Sequence, residues 1–378
     1  MKYVCKENMC TGCKACVAKC PVNAINVVDS LSSYNAQINE NACINCGACI
    51  KVCQNNSDIE KMEPCSWHQG WANNIDIRNN STSGGYATAI MNAFLKNGDF
   101  VCSCMFKNGE FSFYILERES DLTKVCGSKY VKSNPEQSYV AMRKLLSQNK
   151  RVLFIGLPCQ VAAVKKYMSS KLIENLYTID LICHGTPSYG MLDLYMKQHH
   201  IKLKELSEVR FRTKKDAPEF DSFEINGIED TYTFAFLKGL SFTERCYSCQ
   251  FAGVQRVSDL TLGDSWGSIL PKNEQLNGIS LAICQNEKGK ELLQMANVYI
   301  IDADKEMAVN NNVQLRHPMK KTSQREVFWK CIRSGKSFEF AVFKSYPKQI
   351  MKQRIKKILI QTGIIKAVIG RYRVLYRK

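Results

Sequence analysis

Eight cysteines near the start of the sequence occur in two runs of identical spacing. Residues 10–20 and 43–53 each follow the pattern C-x2-C-x2-C-x3-C, in a chain of 378 residues with 19 cysteines. Disulfides are rare in reducing compartments, and an odd, tightly clustered set of cysteines argues against a disulfide framework. Thiolates are preferred ligands of iron–sulfur clusters, zinc and copper(I). The two runs therefore predict metal centres built from thiolates.

The spacing is typical of bacterial two-cluster ferredoxins, in which the fourth cysteine of each run ligates the other cluster. We therefore predict two [4Fe–4S] clusters. The first takes Cys10, Cys13, Cys16 and Cys53 as ligands, and the second takes Cys43, Cys46, Cys49 and Cys20. A zinc site is the alternative, but zinc sites use pairs of cysteines rather than triplets. The second run continues with Gln54, where a proline usually follows the last cysteine.

The segment after the second run is rich in asparagine and is interpreted as a linker or loop over 54–80. Within it, Trp67, His68 and Trp71 are expected to pack two domains against each other. At 81–85 the sequence Ser-Thr-Ser-Gly-Gly precedes a predicted helix over 86–96, and free backbone N–H groups there would suit a phosphate. An ordinary capped helix start has the same appearance.

Alternating strand and helix patterns follow and indicate an α/β core with a mostly parallel sheet. A hairpin is predicted at 100–106 and 111–117. Helices are predicted at 137–146, 161–168 and 189–199, and strands at 25–28, 36–38, 151–155, 176–183, 209–212, 232–237, 260–262 and 280–284. The fold class is thus an N-terminal bacterial-type ferredoxin fold followed by an α/β core with a mixed sheet.

Four further cysteines lie in short motifs of this core. Cys159 and Cys183 follow predicted buried strands, where ligands sit in α/β sheets. Cys246 and Cys249 form a C-x2-C pair, which by itself is ambiguous between zinc, a redox dithiol and half of a cluster site. Together the four cysteines could complete a set of four thiolate ligands.

Five ordered motifs resemble one known family, the beta subunits of coenzyme F420-reducing hydrogenase and their relatives. They are S-G-G at 83–85, G-x-P-C-Q at 156–160, D-x-x-C-H-G-x-P-S at 180–188, C-Y-x-C at 246–249 and R-x-x-D-x-T-x-G-D-x-W-G at 256–267. The resemblance covers about residues 64–320. It implies an iron–sulfur flavoprotein oxidoreductase with FAD. Such a protein passes electrons from its clusters to an organic acceptor, or in reverse from reduced coenzyme F420.

The resemblance also implies roles for individual residues. A third [4Fe–4S] cluster would be held by Cys159, Cys183, Cys246 and Cys249. Flavin contacts would be made by Ser83, Gly84, Gly85, Ser128, Lys129, Tyr130, Arg256 and Asp264. His184 is a candidate proton donor, with a plain hydrogen bond to a sulfur or a carbonyl as the alternative.

The implied partners are a ferredoxin or another electron donor and a small organic acceptor. Two other functions stay open: a non-catalytic electron-transfer subunit of a larger redox complex, and a nucleic-acid binder. Nucleic acid is not expected, because the core does not interleave aromatic and basic residues.

Composition and charge complete the interpretation. Hydrophobic residues make up 45% of the chain, which excludes a disordered protein. No apolar run is long enough to span a bilayer, and the first residues leave no room for a signal segment, so a cytoplasmic location is expected. The net charge is +17, and residues 344–378 alone carry 11 Lys and Arg with no Asp or Glu.

The basic C-terminal segment repeats apolar residues at helical spacing. We expect it to lie on an anionic membrane surface at the inner face of the membrane, to dock an acidic ferredoxin, or simply to pack on the domain. The predicted domains are 1–60 (ferredoxin), 61–80 (linker), 81–135 and 136–320 (the two parts of the flavin-binding core), and 340–378 (basic amphipathic tail).

Overall fold

The computed structural model describes residues 2–212, 224–225, 228–229 and 231–361, with the side chains of 2–212 and 231–355. The chain divides into two compact units, 1–320 and 321–378. Of the basic tail expected at 340–378, residues 362–378 lie outside the described residues.

The first sixty residues form a small sheet with two short helices. In chain order the elements are β1 (Lys2–Tyr3), α1 (Ala15–Lys19), β2 (Ile25–Asp29), β3 (Tyr34–Ile38) and α2 (Ala48–Val52). The three strands are antiparallel, in the order β1-β3-β2. The strands predicted at 25–28 and 36–38 are confirmed, and β3 begins two residues earlier than expected.

An eight-stranded sheet organises the rest of the first unit. The remaining strands are β4 (Ser66–Ala72), β5 (Phe100–Lys107), β6 (Glu110–Leu116), β7 (Val152–Gly156), β8 (Leu176–Leu181), β9 (Glu224–Ile225), β10 (Ile228–Glu229), β11 (Leu260–Asp264), β12 (Ser280–Cys284) and β13 (Val298–Asp302). The order in the sheet is β13-β4-β12-β11-β8-β7-β5-β6, while β9 and β10 pair with each other. The neighbouring strands β11, β8, β7 and β5 are parallel, and all outer pairings are antiparallel. The sheet is therefore mixed.

Helices lie between the strands. They are α3 (Ile75–Asn79), α4 (Tyr86–Lys96), α5 (Leu122–Val125), α6 (Glu136–Ser147), α7 (Pro158–Tyr167), α8 (Ser170–Ile173), α9 (Tyr189–Gln198), α10 (Thr231–Leu237), α11 (Lys272–Leu276), α12 (Glu287–Met295) and α13 (Lys305–Asn311). The predicted helix over 86–96 is confirmed to the residue. Helices predicted at 137–146, 161–168 and 189–199 correspond to α6, α7 and α9.

Strand β7 shows why the sheet is covered on both faces. All five of its residues are buried, as expected of a parallel strand between two layers. Val152 and Phe154 belong to a core shared with α6, α7 and the ferredoxin-like domain. Leu153 and Ile155 belong to a second core, with α4 and α12. Successive side chains of a strand alternate between faces, so one short strand contributes to both cores.

Four sequence expectations differ from the structure. The alternating pattern predicts a mostly parallel sheet, whereas three of the seven pairings between the described strands of the eight-stranded sheet are parallel. The segment 61–80 is not only a linker, because it contributes β4, paired between β12 and β13, together with α3. Residues 209–212 form no regular strand, and 232–237 is part of helix α10. In α10 the buried residues are Tyr232, Thr233, Ala235 and Phe236, which is helical spacing. A short aromatic run does not distinguish a buried helix from a strand.

The second unit contains three helices, α14 (Ser323–Arg333), α15 (Phe338–Ser345) and α16 (Pro347–Gln361). Its core includes Phe328, whose ring meets Trp329 and Phe338 edge to face. The basic segment predicted from the sequence begins within α15 and continues into α16. Among the helices that the structure describes, none has both the length and the apolar character needed to cross a bilayer.

Candidate functional site

The two cysteine runs fold into equivalent turns. Helix α1 follows Lys14 at φ +56° and helix α2 follows Gly47 at φ +70°, so both begin after a left-handed residue at the same position of the motif. This turn places the third cysteine of each run, Cys16 or Cys49, in the first helical turn. The two runs thus present their cysteines in the same way.

The cysteines group across the two runs, as the ferredoxin pattern predicts. Burial raises the pKa of Cys16, and the nearby thiols of Cys13 and Cys53 raise it further. Burial likewise raises the pKa of Cys49, and the thiols of Cys20 and Cys43 raise it further. Cys53 of the second run therefore lies with the first group, and Cys20 of the first run lies with the second.

The two groups differ in their access to solvent. The first group, Cys10, Cys13, Cys16 and Cys53, is buried. In the second group Cys46 is exposed and the other three cysteines are half-buried. Cys5, which the sequence interpretation did not use, is buried and hydrogen-bonded to Cys10 and Cys53; the bond to Cys10 is the main cause that raises its pKa to about 11.

The four core cysteines come from three separate segments and converge. Cys159 lies in the first turn of α7, Cys183 follows β8, and Cys246 and Cys249 lie in a turn after α10. Burial, and then the thiols of the other three members, raises the pKa of Cys183. Among the described residues no three His, Cys, Asp or Glu side chains are placed to hold a single metal ion. The mutual effects of these thiols on the pKa of Cys183 nevertheless place the four residues that the sequence grouped near one another.

A buried lysine lies among these cysteines, and sequence reasoning missed it. Lys132 is 6% exposed, and its Nζ donates a hydrogen bond to Cys159 Sγ at 3.5 Å. Burial by itself would lower the pKa of Lys132, but the thiols of Cys159, Cys246 and Cys183 outweigh burial and raise it. The only available signal in the sequence was its position two residues after the expected flavin contact Tyr130.

The first ferredoxin group adjoins the core cysteines. Gln54 is fully buried, and its side-chain amide donates to Thr11 Oγ1 at 3.0 Å and to the backbone carbonyl of Cys159. The hydroxyl of Tyr139 donates to the carbonyl of Cys13 at 2.8 Å. Gln54, the residue that departs from the usual proline, therefore connects the two cysteine groups.

A cavity of about 470 Å³ lies beyond the carboxyl ends of β7, β8 and β11, next to the core cysteines. This is within the usual range of roughly 300–1,000 Å³ for cofactor and small-molecule sites. Cys183 belongs both to the core cysteine group and to the cavity wall. Of the predicted flavin contacts and the catalytic candidate, the structure places these at the cavity: Ser83, Gly85, Ser128, Lys129, Tyr130, His184 and Asp264.

The start of α4 supplies one wall of this cavity. Gly85 precedes the helix at φ +94°, a conformation that favours glycine, and residues 81–83 line the cavity. The hydroxyls of Thr82 and Ser128 lie 3.2 Å apart, and Ser83 Oγ donates to the carbonyl of Ile279 at 3.0 Å. The free N–H groups of a helix start, beside hydroxyls, form a suitable environment for a phosphate.

The opposite wall is aromatic and charged. Tyr130 stacks on Phe236 with ring centroids 4.1 Å apart. Arg212, which the sequence interpretation missed, donates from Nη1 to Asp264 Oδ2 at 2.8 Å and lies over the ring of Trp266. This ion pair is partly exposed to the cavity.

Burial affects two of the predicted site residues, His184 and Lys129. Burial lowers the pKa of His184, whereas Asp264 acts in the opposite direction, so the imidazole is mainly neutral at pH 7. The ammonium of Lys129 donates to the carbonyls of Cys126 and Gly127, both at 2.9 Å, and burial lowers its pKa. Lys129 therefore fixes the loop at this wall of the cavity.

Two other predicted flavin contacts do not reach the cavity. A Cβ at Gly84 would lie 2.4 Å from the carbonyl oxygen of Gly70 and 2.5 Å from the N of Ser280, so this glycine permits close packing on the sheet. Arg256 is 2% exposed and is paired with the buried carboxylate of Asp180 at 3.0 Å. Neither residue is among those that line the cavity, and the flavin contacts expected for Gly84 and Arg256 stay a prediction.

Arg256 is hydrogen-bonded to the segments that contain Cys183 and Cys249. Its Nη1 donates to the carbonyl of Phe251 at 2.8 Å and its Nη2 to the carbonyl of Leu181 at 3.0 Å. Phe251 follows Cys249 by two residues, and Leu181 precedes Cys183 by two residues. The guanidinium thus holds the segments that carry these two cysteines.

Comparison with known proteins agrees with both parts of this arrangement. Residues 149–306 match the family model for the C terminus of the coenzyme F420 hydrogenase/dehydrogenase beta subunit, and residues 9–57 match the model for the 4Fe-4S dicluster domain. The chain is 21% identical to a subunit of the F(420)H(2) dehydrogenase of Methanosarcina mazei over 288 residues, which is 72% of this chain and 81% of that protein.

A solved structure of the F420-reducing [NiFe] hydrogenase complex from Methanosarcina barkeri, derivatised with xenon, is also similar. The identity is 18% and the TM-score 0.49, over 74% of this chain and 97% of the matched chain. Residues 149–306 therefore match the C-terminal part of coenzyme F420 hydrogenase/dehydrogenase beta subunits, and residues 9–57 match a 4Fe–4S dicluster domain.

Proposed function

We propose that the chain is an iron–sulfur flavoprotein oxidoreductase. Electrons would enter at the dicluster domain from a ferredoxin or another donor and reach an organic acceptor at the cavity, or would flow in reverse from reduced coenzyme F420. The name of the Methanosarcina mazei relative, an F(420)H(2) dehydrogenase subunit, supports the second direction. Both directions use the same residues.

The observation that carries this proposal is the convergence of Cys159, Cys183, Cys246 and Cys249 beside the cavity. Four thiols from separate segments suit a third [4Fe–4S] cluster, because thiolates are its usual ligands. Cys183 belongs to this group and also lines the cavity. Electrons therefore have a short path from the cysteine group to whatever the cavity binds.

The cavity fits FAD by its chemistry. The start of α4, with Ser81, Thr82 and Ser83, suits the pyrophosphate, and the stacked Tyr130 and Phe236 suit a planar ring. When bound, clusters supply one-electron carriers, and a flavin exchanges electrons singly or in pairs. The protein's own task is to hold these groups in sequence and to control their surroundings.

Residues of the chain would orient the acceptor and move protons. The Arg212–Asp264 pair offers a cation and a carboxylate at the cavity. The neutral imidazole of His184 can donate or accept a hydrogen bond there. His184 therefore fits a hydrogen-bonding role toward the flavin or acceptor. To transfer a proton to a reduced product, His184 would have to be reprotonated after each transfer.

The three cysteine groups form an ordered path between the surface and the cavity. The second dicluster group contains the exposed Cys46, and the first group is buried and adjoins Cys159 through Gln54. An external donor would therefore meet the second group first. Electrons would then reach the first group, the core group and the cavity.

Anaerobic reconstitution tests the proposal. We expect about twelve irons and one FAD per chain, since three [4Fe–4S] clusters hold about four irons each. Reduced coenzyme F420 and reduced ferredoxin would then be added separately while the flavin absorbance is followed. Bleaching by either donor supports the proposal. About eight irons, or a protein without flavin, would contradict it.

A non-catalytic electron-transfer subunit is the second candidate. It is favoured because the Methanosarcina mazei relative is named as one subunit of a dehydrogenase. In that case the isolated chain would contain its clusters and flavin, would be reduced by a donor, and would turn over no small organic acceptor. Turnover of any acceptor by the isolated chain would reject this candidate.

A further inference from the structure

Lys132 is a buried cation for which the described part of the chain supplies no paired carboxylate. Its side chain is almost fully buried, and its Nζ contacts Cys159 Sγ at 3.5 Å. Among the residues that the structure describes, no Asp or Glu forms an ion pair with it. A buried ammonium is costly unless an anionic group compensates it. The molecule must therefore supply negative charge at this point in another way.

The core cysteines are the groups beside Lys132 that become anionic when they bind a cluster as thiolates. The phenol of Tyr34 is a further ionisable group that acts on the lysine in the described part of the chain. The lysine is electrostatically coupled to three of the core cysteines, Cys159, Cys246 and Cys183. Four cysteine thiolates around a [4Fe–4S] core carry a net negative charge, and reduction adds one further unit of negative charge. A fixed cation a few ångströms away stabilises the more negative state more strongly, particularly where water is excluded.

Resting on the function proposed above, we infer that Lys132 is a positioning residue that raises the reduction potential of the core cluster. Two features of the structure would contribute. The positive charge favours the reduced state, and the N–H to sulfur hydrogen bond withdraws electron density from the Cys159 ligand; net charge and hydrogen bonds to sulfur are known determinants of cluster potentials. The core cluster would thereby accept an electron from the neighbouring dicluster group.

The backbone around Lys132 keeps this charge in place. Its N–H donates to the carbonyl of Pro187 at 3.0 Å, in the segment that follows Cys183. Gln160, which follows Cys159, donates from its side chain to Ser133 Oγ at 3.1 Å and to the Ser133 carbonyl at 3.2 Å. The segment of Lys132 is thus hydrogen-bonded to the segments of two cysteines.

The test is an EPR-monitored redox titration of the full-length, anaerobically reconstituted protein with dithionite as reductant. The core signal is identified as the one missing in Cys246→Ser. In Lys132→Met we expect the ratio of reduced to oxidised core cluster at a fixed potential to fall at least tenfold, which is a shift of about 59 mV for one electron. The two dicluster signals should not move.

Three further variants separate charge from structure. Lys132→Arg keeps the charge and should stay close to the wild type. Lys132→Gln removes the charge but keeps a donor, so its potential should fall, but by less than in Lys132→Met. Lys288→Met is the control, because the Lys288 ammonium binds the carbonyls of Ile173, Glu174 and Leu176 and no cysteine. It should leave all three signals in place.

The inference is overturned by either of two results. One is an unchanged core potential in Lys132→Met with full iron content. The other is loss of core iron in both neutral variants but not in Lys132→Arg, which would assign Lys132 to assembly of the cluster. A wild-type protein with no signal that depends on Cys246 would instead reject the proposed third cluster, so the two failures are distinguishable.

Discussion

The most informative stability test removes one member of the buried ion pair between Arg256 and Asp180. The family resemblance implies that Arg256 contacts the flavin, whereas the structure shows it paired with Asp180. The side chains of both partners are essentially inaccessible to solvent, at 1% and 0% exposure. Replacing Arg256 by Met removes hydrogen bonds to Asp180 Oδ1, the Phe251 carbonyl and the Leu181 carbonyl. The Asp180 carboxylate would then keep only the bond from Thr261 Oγ1.

The magnitude follows from leaving a charge buried without its partner. Removing one member of a buried ion pair costs about 3–5 kcal/mol. Whole domains have free energies of unfolding of about 5–15 kcal/mol, so this is a large fraction of the total. Arg256→Met should also lower the iron content, since the guanidinium holds the segments of Cys183 and Cys249.

The double variant Arg256→Met/Asp180→Leu supplies the control. Replacing both members of a buried pair by apolar residues is often neutral or stabilising. We therefore expect the double variant to regain at least about 2 kcal/mol relative to Arg256→Met. Urea unfolding of reconstituted protein under anaerobic conditions, followed by circular dichroism, measures the difference.

Two results would contradict the assignment of Arg256 to a buried ion pair. If Arg256→Met loses flavin but unfolds at the wild-type urea concentration, Arg256 contacts the cofactor and the buried-pair assignment is wrong. A double variant no more stable than the single variant would show that the uncompensated Asp180 charge is not the cause of the loss.

Three other experiments, with five substitutions, test separate parts of the structure. Gln54→Ala leaves the buried carbonyl of Cys159 without its hydrogen bond from Gln54, which should lower the free energy of unfolding, measured in urea, by about 1–3 kcal/mol. The control Gln137→Ala, at an exposed position of α6, should change this free energy by less than about 0.5 kcal/mol. Ser83→Ala should weaken FAD binding in a fluorescence titration with little loss of stability. Gly84→Ala should lower the thermal midpoint of unfolding, because its Cβ would meet backbone atoms. Equal stability of the Ser83→Ala and Gly84→Ala proteins would contradict this packing. Cys246→Ser should lose about four irons by chemical analysis and keep the dicluster signals, and an unchanged iron content would exclude Cys246 as a ligand.

Much of the fold was predictable because it depends on local periodicity. The helix at 86–96 and the strand at 280–284 match the structure to the residue, since each has an unambiguous apolar pattern and a clear boundary. Strand β4 was not predictable, because its sequence Ser-Trp-His-Gln-Gly-Trp-Ala is polar. It is held between β12 and β13 by pairing with strands more than 200 residues away in sequence.

The site shows the same division. Regular spacing groups the eight cysteines of the two runs, whereas the four core cysteines are grouped by their places at strand ends and by the C-x2-C pair. Lys132 and Arg212 escaped notice, since their importance depends on burial beside Cys159 and on pairing with Asp264. Arg256 and Gly84 lie in motifs that resemble the family, and only the three-dimensional contacts show that Arg256 is paired with the buried Asp180 and that Gly84 packs closely on the sheet.

The central claim is that the core cysteine group connects the dicluster domain to the flavin. The direct measurement is the rate of flavin bleaching by reduced ferredoxin in stopped flow, for wild type, Cys246→Ser and the control Cys331→Ser, whose cysteine lies in α14 of the second unit. The account predicts that wild type and Cys331→Ser bleach at the same rate, and that Cys246→Ser retains its flavin and dicluster signals but bleaches at least tenfold more slowly, a barrier increase of about 1.4 kcal/mol. Equal rates in all three proteins would contradict it.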